Sequence, residues 1–147
     1  MSCYQHILLA TDFSEHGKAV ADKAKSLAAI HQATLSLIHV VDNTPITDSI
    51  YGSFGSFEGD LMEQLMDSAK DHLSKIATEF CIAENDQMLE VGSPKFEIVR
   101  VAKEKNVDLI VIGSHGRHGL ALLLGSTATG VLHYAECDVL AVRLLND

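Results

Sequence analysis

Basic residues are scarce in this sequence: 11 lysines and arginines stand against 20 aspartates and glutamates, a formal charge of -9. A nucleic-acid surface needs clustered cations against the phosphate backbone, and no basic run occurs, so that class of partner is excluded. Cysteine is scarce too. Cys3, Cys81 and Cys137 are an odd set without Cys-x-x-Cys spacing. They exclude a disulfide framework, fit reduced thiols in a cytosol and read as small buried hydrophobes. Long apolar runs are missing: Ile7 to Ala10 is broken by Asp12, far short of the roughly 18 apolar residues of a membrane span, and no charged segment precedes it. The expectation is a soluble cytoplasmic protein with neither nucleic acid nor membrane as partner. It forms one domain over residues 1–147, long enough to hide roughly 68–70% of its unfolded surface in a single core.

What is present is an alternation of strand and helix patterns. Gln5–Thr11 is a short apolar run suited to a strand buried on both faces, and Ser14 stands ready to cap a helix carrying Val20, Ala21, Ala24, Leu27 and Ala28 on one side. Thr34–Val41 is a second strand, followed by a long Gly/Ser-rich connection over 42–57. From Glu58 to Phe80 the positions Leu61, Met62, Leu65, Ala69, Leu73, Ile76, Ala77 and Phe80 recur at helical spacing. Asp86–Val91 is a third strand. Ser93 as N-cap and Pro94 in the first turn launch the next helix. Asp108–Ile112 is a fourth strand, Ser126–Tyr134 a helix and Asp138–Leu144 a fifth strand. Five buried strands joined by helical crossovers predict an α/β fold with a parallel sheet covered on both faces.

Ligands of such sheets bind beyond the carboxyl ends of the strands, where neighbouring crossovers diverge. Two strand ends are marked by small or hydrogen-bonding residues: Ala10, Thr11 and Asp12 after the first, and Gly113, Ser114, His115 and Gly116 after the fourth. Gly125, Ser126 and Thr127 place another bare turn at a helix start, where unpaired amides favour an anion. Arg117 is the cation of this loop, and the apolar Leu120–Leu124 run would clamp it to the body. Phosphate suits the arrangement. Neither a Walker loop nor the dinucleotide Gly-x-Gly-x-x-Gly is present, and the glycine spacing alone equally suits a loop turning a corner. Asp12 is the best candidate for acid–base work, but the end of a strand suits a structural or ligand-accepting aspartate better, so no catalytic residue is assigned. His115 and His118 lack a readable third ligand, so no metal site is assigned either. His39 lies in a buried strand pattern and reads as a satisfied core histidine. Strand five is an open edge, and antiparallel pairing of Val139, Leu140, Ala141, Val142, Arg143 and Leu144 with the same strand of a second copy would cover it.

The stretches HILLATDFS, LSLIHVVD, VGSP, DLIVIGSHGRHG, LLLGSTA and CDVLAVR together resemble the universal stress protein family over essentially the whole chain. The resemblance implies strand order 3-2-1-4-5, as in adenine nucleotide alpha-hydrolases, and a homodimer paired through the last strands. It also implies ATP or AMP at the ends of strands one and four, with any Mg²⁺ carried by the nucleotide and weak ATP hydrolysis at most. Ala10, Thr11 and Asp12 then match the adenine and ribose contacts, with Val40 lining the base. Gly113, Ser114, His115, Gly116, Arg117, Gly125, Ser126 and Thr127 match the ribose and phosphate loop. Eight residues, 117 to 124, separate Gly116 from Gly125, one fewer than in the nucleotide-binding members. That spacing, Phe13 after the aspartate and the long 42–57 connection are similar to the branch typified by universal stress protein A. The second reading is therefore a dimeric interaction protein with an empty crevice.

Overall fold

A computed structural model describes residues 3–14, 17–42, 55–114 and 124–144. Five strands, β1 (His6–Ala10), β2 (Thr34–Val41), β3 (Gln87–Val91), β4 (Leu109–Gly113) and β5 (Asp138–Val142), form one parallel sheet in the order 3-2-1-4-5. Helices α1 (Gly17–His31), α2 (Gly55–Glu79), α3 (Pro94–Glu104) and α4 (Ser126–Tyr134) make the crossovers, and a 3-10 turn over Glu84–Asp86 precedes β3. Fold class and strand order agree with the expectation from sequence.

The period of two along each strand divides the core into two layers. Ile7, Leu9, Leu37, Leu109 and Val111 face α1 and α2, meeting Val20, Ala24, Leu73, Ala77 and Phe80. Leu8, Ala10, Ile38, Val40, Ile110 and Ile112 face α3 and α4, meeting Ile98, Val101, Ala128 and Val131. Helices α1, α2 and α3 all stop in the same way. Gln32, Cys81 and Asn106 take φ of 54°, 58° and 56°, and the next residues, Ala33, Ile82 and Val107, donate back to the carbonyls of Ala28, Ala77 and Ala102. These are Schellman closures that satisfy terminal carbonyls.

Two expectations need correcting. Cys3 and Cys81 are exposed and only Cys137 is partly buried; Cys81 occupies a helix end, where backbone geometry matters more than burial. Burial, aided by the Asp138 and Asp108 carboxylates, pushes the Cys137 thiol above its ordinary pKa. Leu61 and Leu65, counted on the apolar face of the long helix, are 44% and 37% exposed. A helix of 25 residues spans about 37 Å, whereas the eight residues of β2 span about 26 Å. The first turns of α2 therefore run beyond the sheet that its later turns cover.

Two glycines are set by geometry. Gly92, between β3 and α3, has φ of +143°, a region closed to side chains, and its N–H donates to the Val41 carbonyl at 3.0 Å. Gly130 lets α4 touch α3: a Cβ there would come within 2.8 Å of Lys95 Cβ, too near the α3 backbone to be relieved by rotation of the lysine. Gly130→Ala is expected to separate the helices and lower stability by roughly 1–3 kcal/mol, read as a reduced urea midpoint with unchanged slope.

Polar side chains close the amino end of the sheet. Asp108 accepts from the N–H groups of Gln5 and His6 at 2.8 and 3.0 Å, and Tyr4 donates its hydroxyl to Asp138 at 2.7 Å. His6 Nδ1 donates to the Lys105 carbonyl, leaving Nε2 to accept from the buried Ser36 hydroxyl at 2.6 Å. The carboxyl end is different, because β1 and β4 send their crossovers to opposite faces there.

Candidate functional site

That divergence opens a cleft of about 390 Å³, within the roughly 300–1,000 Å³ range of small-molecule sites. Its apolar wall comes from Ile38 and Val40 on β2, Pro94 and Ile98 on α3, and Ile112 on β4. Ala10, Thr11 and Asp12 end β1 at the cleft, Gly113 ends β4, and Gly125, Ser126 and Thr127 bring the start of α4 to it. Eight residues singled out from sequence thus share one cavity, although they come from four elements. His115, Gly116 and Arg117 lie outside the described residues.

Short hydrogen bonds shape the turn after β1. Thr11 donates its N–H to the Ile38 carbonyl at 3.0 Å, continuing the sheet one residue beyond the strand. Thr11 Oγ1 accepts from Phe13 N–H at 3.2 Å, and Asp12 Oδ1 accepts from Ser14 N–H at 2.9 Å. Ser14 in turn accepts through its carbonyl from Gly17 N–H at 3.0 Å as α1 begins. The Asp12 bond leaves further acceptor capacity on that carboxylate toward the cleft.

Across the cavity, Gly125 is the N-cap of α4, and no side-chain bond caps the helix. The first amides of a helix have no intrahelical partners and carry the positive end of its dipole. Gly125 has φ of -64° and ψ of 159°, an extended conformation open to any residue. The backbone does not demand glycine at this position, and what glycine provides is a bare approach to the amides behind it. Ser93 likewise stands as N-cap of α3 without a side-chain cap bond, and Pro94 follows it as expected.

Ser114 has a different task from the one its loop position suggests. Its N–H donates to the Val142 carbonyl at 2.8 Å, its Oγ accepts from Leu144 N–H at 3.0 Å, and its carbonyl accepts from Gly125 N–H at 2.6 Å. It fastens β4, β5 and α4 together beside the cleft. Leu144, placed from sequence on the pairing edge, is buried in the α1/α2 layer and lines the cleft. Strand β5 stops at Val142 and the chain turns inward after it.

Sequence reasoning gave His39 a place in the core and none at the site. Its Nδ1 donates to the Thr11 carbonyl at 2.7 Å and its ring stacks on Phe13 with centroids 3.8 Å apart. The reading of a satisfied histidine stands, yet the residue also lines the cleft. Alternation along β2 shows only which face a residue takes; the β1–β2 register, Ala10 opposite Ile38, is what sets His39 beside Thr11. Among the described residues no group of three His, Cys, Asp or Glu is placed to hold a metal ion, and no helix is long and apolar enough to cross a membrane.

Known proteins share this architecture. A curated relative, "Universal stress protein A homolog 2" of Coxiella burnetii, is 42% identical over 145 residues, 98% of either chain. The solved structure of MJ0577, which is called a universal stress protein of Methanocaldococcus jannaschii, is 30% identical, covers 99% of this chain and 100% of its own, and superposes with a TM-score of 0.84. A universal stress protein solved in complex with cAMP is 26% identical, covers 97% of this chain and 98% of its own, and gives a TM-score of 0.61. The model of the "Universal stress protein family" matches residues 3–143, from just before β1 to just past β5. Strand order, the cleft at the point of divergence and these matches agree: the chain belongs to the universal stress protein family.

Proposed function

We propose that the cleft between the ends of β1 and β4 holds an adenine nucleotide, ATP or AMP. In this reading the chain acts in stress response as a cytoplasmic homodimer whose interactions depend on occupancy. One observation carries the proposal: the uncapped start of α4 opens into the same cavity as the Asp12 carboxylate. The base packs on the apolar wall of Ile38, Val40 and Ile98, Asp12 accepts from the ribose hydroxyls, and the amides of Ser126 and Thr127 donate to phosphate oxygens. His115, Gly116 and Arg117 complete the phosphate loop.

Magnitudes favour binding despite the charge of -9. Each hydrogen bond to a charged oxygen contributes about 1.5–3 kcal/mol, and the helix end roughly 0.3–1 kcal/mol more. Surface carboxylates beyond about 8 Å are largely screened. Mg²⁺ arrives with the nucleotide, its charge shared with the phosphates. The relative crystallised with cAMP supports the ligand class.

The test is nucleotide released from freshly purified protein on denaturation, followed by calorimetric titration with ATP and AMP in Mg²⁺. Saturable heat is expected. Its absence, with no nucleotide retained, would leave the dimeric interaction protein as the better reading. The eight residues between Gly116 and Gly125 favour that alternative.

A further inference from the structure

Phe13 has φ of +62°, a conformation that is uncommon and costly for a bulky side chain. The other described non-glycine residues with positive φ are Gln32, Cys81 and Asn106, and each closes a helix. Phe13 closes none. It stands in the turn that presents Thr11 and Asp12 to the cleft, between rings from two other elements. His39 of β2 stacks on one side at 3.8 Å and 28°, and His72 of α2 approaches at 5.0 Å. The same imidazole donates to the Thr11 carbonyl at 2.7 Å. One side chain therefore grips the turn twice, by a hydrogen bond at its first residue and by a stacked ring at its third.

The geometry points to His39 as a positioning residue for the ligand. By holding Phe13 in its left-handed conformation it fixes the direction of the Asp12 carboxylate, which has no covalent reason to face the cleft. Phe13 N–H donates to Thr11 Oγ1, and Ser14 N–H, whose direction follows from the Phe13 backbone angles, donates to Asp12 Oδ1 at 2.9 Å. Histidine suits the task because one ring supplies a donor at Nδ1 and a flat face beside it. An aliphatic residue would fill the space without the donor, and a lysine would lack the face. The inference rests on the nucleotide reading for its functional consequence, while the latch itself is independent of it.

Two measurements separate those layers. In the ligand-free protein, His39→Ala should speed hydrogen exchange at the Phe13 and Ser14 amides about tenfold or more, relative to amides in β1 and β2. In calorimetry the same variant should bind ATP roughly tenfold more weakly. His39→Asn, whose short amide replaces the Nδ1 donor, should recover most of the affinity; His39→Gln, which sets its amide a bond further out, should not. Unchanged exchange at Phe13 and Ser14 would overturn the latch, and so would equal behaviour of the Asn and Gln variants. If the parent protein binds no nucleotide, the proposed function fails, and the exchange measurement still decides the latch.

Discussion

Gly125→Asp is expected to abolish nucleotide binding while leaving the protein as stable as the parent or slightly more so. Position 125 already has the extended backbone of an N-cap, and aspartate is among the best residues there, exceeding glycine by a few tenths of a kcal/mol. Its carboxylate would accept from the same amides that the proposal assigns to phosphate and would oppose the incoming charge. Losing two charge-assisted bonds costs about 3–6 kcal/mol, more than a hundredfold in affinity by the usual conversion. The Gly125 N–H bond to the Ser114 carbonyl survives the change. Thermal denaturation and titration calorimetry on one preparation supply both readings. Undiminished binding would show that the start of α4 is not where phosphate sits, even if a nucleotide binds elsewhere in the cleft.

Ala141→Pro is expected to convert the proposed dimer to monomers, whereas Val142→Pro should damage the protomer itself. In a parallel ladder each residue directs its N–H and C=O to the same neighbouring strand. The Val142 carbonyl accepts from Ser114, so Val142 and Leu140 face β4, and Val139, Ala141 and Arg143 present their backbone groups outward. Proline is tolerated on an edge where its missing N–H faced away from the sheet. At Val142 it would remove a ladder bond, at a cost on the order of 1–3 kcal/mol. Sedimentation velocity distinguishes the cases. A dimer that persists in Ala141→Pro, with the fold intact, would rule out pairing through β5.

The layered fold was legible because its signals are local. The β2 bounds, Thr34–Val41, and the α4 bounds, Ser126–Tyr134, agree with the sequence reading to the residue, with Asp42 marking the end of the first and Gly125 the start of the second. Elsewhere the ends moved. Strand β5 stops at Val142 rather than Leu144, because Leu144 is drawn into the core by contacts that no nearby residue announces. Helix α2 begins at Gly55 rather than Glu58, and periodicity alone could not reveal that its early leucines outrun the sheet. At the site, Ala10, Thr11, Asp12 and Gly125 were readable as small or polar residues at element ends. The place of His39 at the cleft and the fastening role of Ser114 were hidden, since both depend on which strands lie side by side.

Ser114 joins the glycine at the head of α4 to the carbonyl of Val142, so the cleft and the outermost strand share a single pin. A displacement of that pin registers at both places. Linkage then imposes a symmetry: if self-association through the last strand tightens nucleotide binding by some factor, nucleotide must strengthen self-association by the same factor. Affinity measured in dilute protein would differ from affinity measured in concentrated protein, and the ratio would report the coupling without any mutation.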